Sequence, residues 1–447
     1  MPFLPMTEKN RREMLKTIGV EKFEDLLKSI PEKQRFKGKM NLPDPLSEYE
    51  VTRLLQEMAT RNLHAGTHAC FLGGGAYDHF IPAAVGHVIS RPEFYTSYTP
   101  YQPEVSQGNL QSIYEYQTMI AELTGMDAAN ASMYDGASAL AEAALLIQSQ
   151  TGRESILISK TVHPFYRKVV STYCHRAGIV LKELEMTNGV TDLDVLCRMV
   201  DSKTAGVLIQ HPNFFGFLEE VEQIEQTIHA AGGLFGVSVD PISLGILKPP
   251  GEYGADVATG EGQALGNPLS FGGPYVGIFT VKKQFLRRLP GRLVGVTQDV
   301  DGKRGFVLTL QTREQHIRRE KATSSICTNE QLCALASAVY LALMGKSGLP
   351  RVAELCLQKA HYLARGITKL QGFQLLSAKP FFKEFAVRCP IPVKRILQTM
   401  RKHRIFAGID LGRFDLGLKN MLLVAVTEKR TRQEIDQYLD VLRKCLN

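Results

Sequence analysis

Between residues 155 and 240 short apolar runs alternate with longer amphipathic stretches. The runs at 155–159, 178–184, 205–210 and 234–239 have the length and β-branched content of strands. The stretches at 163–173, 192–200 and 219–231 carry apolar residues at helical spacing, and the last is closed by Gly232-Gly233. This βαβα rhythm, with strands apolar along their whole length, predicts a doubly wound, mostly parallel sheet with helices on both faces. In such a sheet a ligand sits at the carboxyl ends of the strands.

The same pattern divides the rest of the chain. Over residues 7–61 charge predominates, Leu15, Ile18, Phe23, Leu26 and Leu27 form apolar stripes, and Pro31, Pro43 and Pro45 punctuate. Ser47 with Glu50 three residues on is a capping-box pattern, so residues 1–62 read as a helical arm. Such an arm wraps a neighbouring subunit, covers an active-site mouth or simply packs. Helical spacing returns at 110–124, and the small-residue turn Asn130 to Ser138 feeds an Ala/Leu-rich helix over 139–147. A glycine-dense segment without lysine, 254–274, precedes a strand at 276–281. Cys327-Thr-Asn-Glu330 opens a long helix to 344, interrupted by Gly345, Gly348 and Pro350 and resumed over 351–370. Strand runs at 373–376, 382–388, 405–409 and 420–426, with helices at 393–402 and 431–446, predict a smaller C-terminal α+β domain. The divisions are therefore 1–62, 63–345 and 346–447, with no internal repeat.

Composition changes this picture little. A chain of 447 residues with 44% hydrophobic and 22% charged residues reads as soluble and globular. A net charge of +8 without a long Lys/Arg run or zinc-finger spacing excludes nucleic acid as the expected partner. The eight cysteines form no CxxC pair and no metal-ligating spacing. With no N-terminal signal-peptide pattern, they read as reduced thiols of a cytoplasmic protein. The apolar runs at 205–209 and 421–426 are too short to span a bilayer. The basic region Arg287, Arg288, Arg292, Arg304, Arg313, Arg318, Arg319 and Lys321 reads mainly as solvated faces and ion pairs, with one or two arginines able to clamp a carboxylate or phosphate.

Candidate chemistry lies first in the loop Tyr98-Thr-Pro-Tyr-Gln-Pro-Glu-Val-Ser-Gln-Gly108. Its prolines stiffen it, and Tyr98, Thr99, Tyr101, Gln102, Glu104, Ser106 and Gln107 all hydrogen-bond. It either holds a small polar ligand or a partner's active site, or is a surface turn. Phe71-Leu-Gly-Gly-Gly-Ala-Tyr77 lets backbone N–H groups approach an anion, but matches neither GxGxxG nor GxxxxGK[ST]. The helix head at Ser138 suits a phosphate, or plain tight packing. His163, Asn213 and Asp240 each follow a strand. Asp240 can pair with a protonated ring nitrogen or cap the turn before Pro241, and His163 is either catalytic or a satisfied structural histidine.

Several strings together resemble one family over the whole chain. They are Phe3-Leu-Pro with Arg11-Arg-Glu-Met-Leu15, Tyr95-Thr-Ser-Tyr-Thr-Pro-Tyr-Gln-Pro-Glu-Val-Ser-Gln-Gly108, Asn130-Ala-Ser132, Val239-Asp-Pro-Ile-Ser243 and Pro249-Pro-Gly-Glu-Tyr-Gly-Ala-Asp256. The chain resembles the first (alpha) subunits of two-chain glycine dehydrogenase (decarboxylating), in the P-protein family of the glycine cleavage system. The resemblance implies a fold-type I pyridoxal phosphate (PLP) transferase architecture. In that family a lysine within an Asn-Leu-His-Lys string of the partner subunit holds PLP as a Schiff base. Laying that string on residues 256–266 puts Ala264 at the lysine. Asp240 then stands at the pyridine-nitrogen position and His163 at the ring-stacking position, so Ser138, His163, Asp240 and Ala264 read as a degenerate pocket. The implied partner is a homologous PLP-bearing beta subunit in an α2β2 assembly. The implied reaction decarboxylates glycine and passes the aminomethyl group to the lipoyl group of the carrier H-protein. Tyr98, Tyr101, Gln102, Ser106 and Gln107 would complete the partner's active site. Two other readings stay open: a noncatalytic regulatory scaffold, and an autonomous PLP enzyme using Lys248 or Lys282.

Overall fold

In a computed structural model, which describes residues 6–326, 329–414 and 416–446, the chain forms two units, residues 1–63 and 64–447. The Phe3-Leu-Pro string and Cys327-Thr328 lie outside the described residues. The first unit carries α1 (Glu8–Ile18) and α2 (Glu48–Ala59). Both start in capping boxes, Thr7 with Asn10 and Ser47 with Glu50.

The second unit is built on a seven-stranded sheet. Its strands are β1 (Ala128–Ala129), β2 (Ser155–Ser159), β3 (Val180–Leu184), β4 (Thr204–His211), β5 (Leu234–Val239), β6 (Val257–Glu261) and β7 (Gly277–Val281). They lie in the order β1-β7-β6-β5-β4-β2-β3, and only β7 runs antiparallel to its neighbours. Successive side chains of a strand point to opposite faces, and here both faces are covered. Ile156, Ile158 and Leu208 join a core with Leu140, Ala144 and Ile147 of one helix, Gly136–Thr151. Leu157, Val207, Ile209 and Phe235 pack with Ile224 and Ile228 of another, Val221–Ala230. Uninterrupted apolar runs are the sequence consequence of this double coverage.

The other helices that position the site are α3 (Gln107–Thr124), α4 (Gly136–Thr151), α5 (Pro164–Ala177), α6 (Val221–Ala230) and α7 (Gln331–Thr368). The last is kinked at Gly345, whose φ of 58° and ψ of −167° are not helical. It is long and apolar enough to cross a membrane, a test the short runs weighed in the sequence did not meet. Ala334, Leu335, Ala336 and Tyr340 of this helix are buried in the protein.

A hairpin of β8 (Leu293–Gln298) and β9 (Arg304–Thr309) follows the main sheet. The C-terminal region adds β10 (Gln374–Leu375), β11 (Glu384–Arg388), β12 (Ile409–Asp410) and β13 (Met421–Ala425), in the order β10-β11-β13-β12 with antiparallel neighbours. Helices α8 (Val393–Lys402) and α9 (Arg432–Lys444) cover it, and Ile396, Met400 and Tyr438 share its core with Phe385, Leu422 and Val424.

Three elements depart from the sequence reading. Strand β6 lies inside the glycine-dense segment, where its five residues carry too little apolar length to stand out. The β8–β9 hairpin occupies part of the basic region read as solvated faces, and Arg292 at its entry is only 2% exposed. The run at 405–409 splits at Gly408: Ile405–Phe406 pairs with Ala69–Cys70, and Ile409–Asp410 pairs with β13. Among the described residues every cysteine is a free thiol.

Candidate functional site

Strand β5 delivers Asp240 to the carboxyl edge of the sheet. One carboxylate oxygen, Oδ1, accepts the Ile242 N–H at 3.0 Å, the Asx turn expected before Pro241. The other, Oδ2, lies 2.7 Å from Lys383 Nζ, and that lysine side chain is 1% exposed. Lys383 comes from the segment leading into β11, which lies alongside the loop after β4. There Leu218 N–H donates to Pro380 O at 2.9 Å and Phe382 N–H to Gly216 O at 3.1 Å. The approach is so close that a Cβ on Gly216, at φ +86°, would stand 1.7 Å from Glu384 O.

The ammonium is held from two further sides. It lies 3.0 Å from His79 Nε2 and 3.7 Å from the centroid of the Tyr77 ring. His79 Nδ1 is 2.6 Å from Glu428 Oε2. The tautomer that satisfies every atom is neutral, with Nδ1–H donating to Glu428 and Nε2 accepting from Lys383. Burial first, and Lys383 second, hold the imidazole below its ordinary pKa, which agrees. Cys356 completes a group whose ligand atoms, with those of His79 and Glu428, lie within 4.8 Å, but the hydrogen bonds leave neither imidazole nitrogen a lone pair for a metal ion.

Burial is the largest single influence on Glu428 and would raise it, but the interaction with His79 and the backbone N–H bonds from Phe80 and Glu428 itself together outweigh it and bring the carboxyl down to about 2. With its folded pKa below the ordinary 4.5, this group contributes stability that is complete above that value and lost as pH falls toward 2. Urea midpoints followed from about pH 5 to about pH 3 should therefore fall more steeply in the wild type than in Glu428→Gln. Parallel curves would show that the His79–Glu428 bond carries no such linkage.

The glycine run does meet an anion, and the anion is internal. Gly74 N–H donates to Glu384 Oε1 at 2.7 Å, and Tyr77 OH donates to Oε2 at 2.9 Å. A Cβ on Gly73 would fall 2.0 Å from the same carboxylate. Burial pushes Glu384 up to about 7 against these donors.

The head of α4 is likewise satisfied from within. Asp135 is its N-cap and accepts the Ser138 N–H at 2.7 Å. Gly136 N–H donates at 3.0 Å to Glu261 Oε2, at the end of β6. Glu261 Oε1 accepts the N–H groups of Gln263 at 3.0 Å and Val276 at 3.3 Å. Burial raises this carboxyl to about 8 against the pull of those donors. Ala264, in the turn that follows, is buried beside Val276, Ile278 and Tyr340. His163 caps α5: its Nδ1 accepts the Phe165 N–H at 3.0 Å, and its ring sits among Tyr166, Phe214 and Phe165. Burial lowers its pKa to about 4, so it is neutral near pH 7. Asn213 bonds Gly189 O and Glu219 and shapes the loop after β4.

Ser138, His163, Asp240 and Ala264 thus gather at one edge of the sheet, as the strand-end rule expects. The loop residues gather elsewhere, at the β8–β9 hairpin. Tyr98 is 76% exposed, Tyr101 45%, and Gln102 is exposed too. Ser106 stands half-buried at the N-cap of α3. The amide of Gln107 accepts the Phe306 N–H at 2.8 Å and donates to Phe306 O at 2.9 Å, pinning the loop to β9. Tyr101 OH accepts a bond from Arg292 Nη2 at 3.0 Å, with the guanidinium 5.1 Å from the ring centroid and the His316 ring 5.6 Å away. Glu314 lies 3.9 Å from Arg292, its carboxyl raised by burial.

Compared with known proteins, the chain matches the family model described as "Glycine cleavage system P-protein" over residues 1–442. The chain belongs to the glycine cleavage system P-protein family. "Probable glycine dehydrogenase (decarboxylating) subunit 1" of Chloroherpeton thalassium is 53% identical over 444 residues, covering 99% of this chain and 100% of that protein. The protein of the same name from Carboxydothermus hydrogenoformans is 55% identical over 442 residues, 99% of each. Among solved structures, a crystal structure of glycine decarboxylase (P-protein) of the glycine cleavage system in inhibitor-bound form superposes with a TM-score of 0.93 at 45% identity, covering all of both chains. Glutamate decarboxylase of Lactobacillus brevis shares the fold alone, with a TM-score of 0.70 at 12% identity over 94% of this chain and 97% of that one. The P-protein fold is therefore the α/β architecture of fold-type I PLP-dependent enzymes.

Within this P-protein chain the pocket residues do not fit PLP. Position 264 has no amine, Asp240 already has an ammonium partner, and the head of α4 already has two carboxyl partners. Lys383 and Glu261, which decide this, were not singled out from sequence. The signal for Lys383 was a charged pair inside the apolar string Phe381-Phe-Lys-Glu-Phe385.

Proposed function

We propose that this chain works as subunit 1 of a two-chain glycine dehydrogenase (decarboxylating), completing an active site whose PLP is carried by a homologous second subunit in an α2β2 assembly. The complex releases the carboxyl group of glycine as carbon dioxide and passes the aminomethyl group to the lipoyl disulfide of the carrier H-protein, which is reduced. This chain's share is to bind, orient and exclude water at the shared site through the loop bearing Tyr98, Tyr101, Gln102, Ser106 and Gln107.

The observation that carries the reading is the contrast between the two regions. The crevice of this chain is internally satisfied, whereas the loop presents an exposed tyrosine backed by the buried Arg292. Arg292 orients the Tyr101 ring from behind and leaves its O–H hydrogen to donate outward. Gln107 fixes the base of the loop to β9, so the polar groups are held before any partner arrives.

Reconstitution tests it. Glycine–bicarbonate exchange should be absent with this chain alone and should rise on adding it to the second subunit. Exchange by the second subunit that is unchanged by this chain would refute a shared site.

A further inference from the structure

We infer that the crevice at the carboxyl edge of this chain's own sheet is permanently closed by its own side chains, with Lys383 standing at the pyridine-nitrogen position and Glu261 at the phosphate position, so that it takes no PLP. The inference rests on the family reading above, which says where those positions are.

A pyridine phosphate needs three holds at such an edge: a carboxylate for the ring nitrogen, N–H groups at a helix head for the phosphate, and an amine for the aldehyde. All three are spent or absent. Both oxygens of Asp240 are engaged, one by Ile242 N–H and one by Lys383. A ring nitrogen could reach Asp240 only by expelling the ammonium, which would then stay buried against Tyr77 and His79 without its carboxylate. That displacement also breaks the run of bonds from Asp240 through Lys383 and His79 to Glu428.

At the helix head a phosphate would have to displace Glu261 from Gly136, Gln263 and Val276, and would face the Asp135 carboxyl as well. Space is equally short, because a Cβ on Gly136 would stand 2.7 Å from Tyr166 OH. The lost amine at Ala264 is therefore not the only obstacle. Restoring a lysine there would not restore a cofactor site, since two other groups fill the remaining holds.

Two measurements decide. In the first, the reconstituted complex is saturated with PLP, reduced with borohydride and digested, and the pyridoxyl peptides are identified by mass. The label is expected on the partner subunit only, and a pyridoxyl group on Lys383 would overturn the inference. In the second, the full-length chain is dialysed against deoxypyridoxine phosphate, which has no aldehyde and so needs no lysine. Wild type is expected to bind with a dissociation constant above about 1 mM, whereas the Lys383→Met/Glu261→Gln double variant binds at least about tenfold more tightly than that limit. Saturable binding by wild type, or equal retention by a folded double variant, overturns the inference. If the double variant does not fold, the wild-type arm and the borohydride map still decide. Absence of label from the partner would refute the proposed placement of the cofactor, leaving closure of this crevice to be judged by dialysis alone.

Discussion

Replacing Lys383 by methionine is expected to lower the free energy of unfolding by about 3–5 kcal/mol, the usual cost of breaking a buried ion pair from one side. Methionine keeps most of the volume but leaves Asp240 Oδ2 without its partner at 2.7 Å and His79 Nε2 without its donor at 3.0 Å. The His79 side chain is 2% exposed and that of Asp240 12%, so water replaces the lost partner only in part. Urea unfolding should show a reduced midpoint with an unchanged slope, because the surface exposed on unfolding is the same. Removing both charges, as Lys383→Met/Asp240→Leu, should recover much of the loss, since a buried pair replaced by apolar groups of similar volume is often near neutral. A loss below about 1 kcal/mol in the single variant would mean that the pair is not what holds β11 to the end of β5.

Tyr101→Phe should slow glycine–bicarbonate exchange by the reconstituted complex about 10- to 100-fold, with the two subunits still co-eluting. The estimate is the loss of one hydrogen bond that is strengthened by a charged neighbour, roughly 1.5–3 kcal/mol, expressed as a rate. The phenol qualifies because Arg292 both donates to its oxygen and lies over its ring, so the hydroxyl is oriented before substrate binds. Phenylalanine retains the ring and its contact with His316, which separates loss of the hydroxyl from collapse of the loop. Exchange at the wild-type rate would remove the active-site role proposed for Tyr101, and loss of co-elution would recast it as an interface residue.

Residues read from sequence and residues found only in the structure differ in one physical respect. Strands β2, β4 and β5 were legible because burial on both faces demands an unbroken apolar run, a local property of the chain. Once those strands were placed, the strand-end rule pointed to His163 and Asp240, whereas Ala264 was singled out by the family resemblance alone. The glycine run at 73–75 was legible as an anion site, although the anion is Glu384 and no ligand.

What tertiary structure alone decided is where each charge goes. A lysine, a glutamate and an arginine in sequence look alike whether solvated or buried, because their burial depends on chain segments far away. His79 and Lys383 are separated by 304 positions, and Arg292 meets Tyr101 across 191. Local periodicity carries no information about such pairs; the topology that lays residues 380–384 against the loop after β4 creates them. The sequence by itself determined the fold class and the family likeness. Only the packed molecule decided that Lys383 meets Asp240 and that Glu261 meets the head of α4, because a buried polar group must find its partner in space.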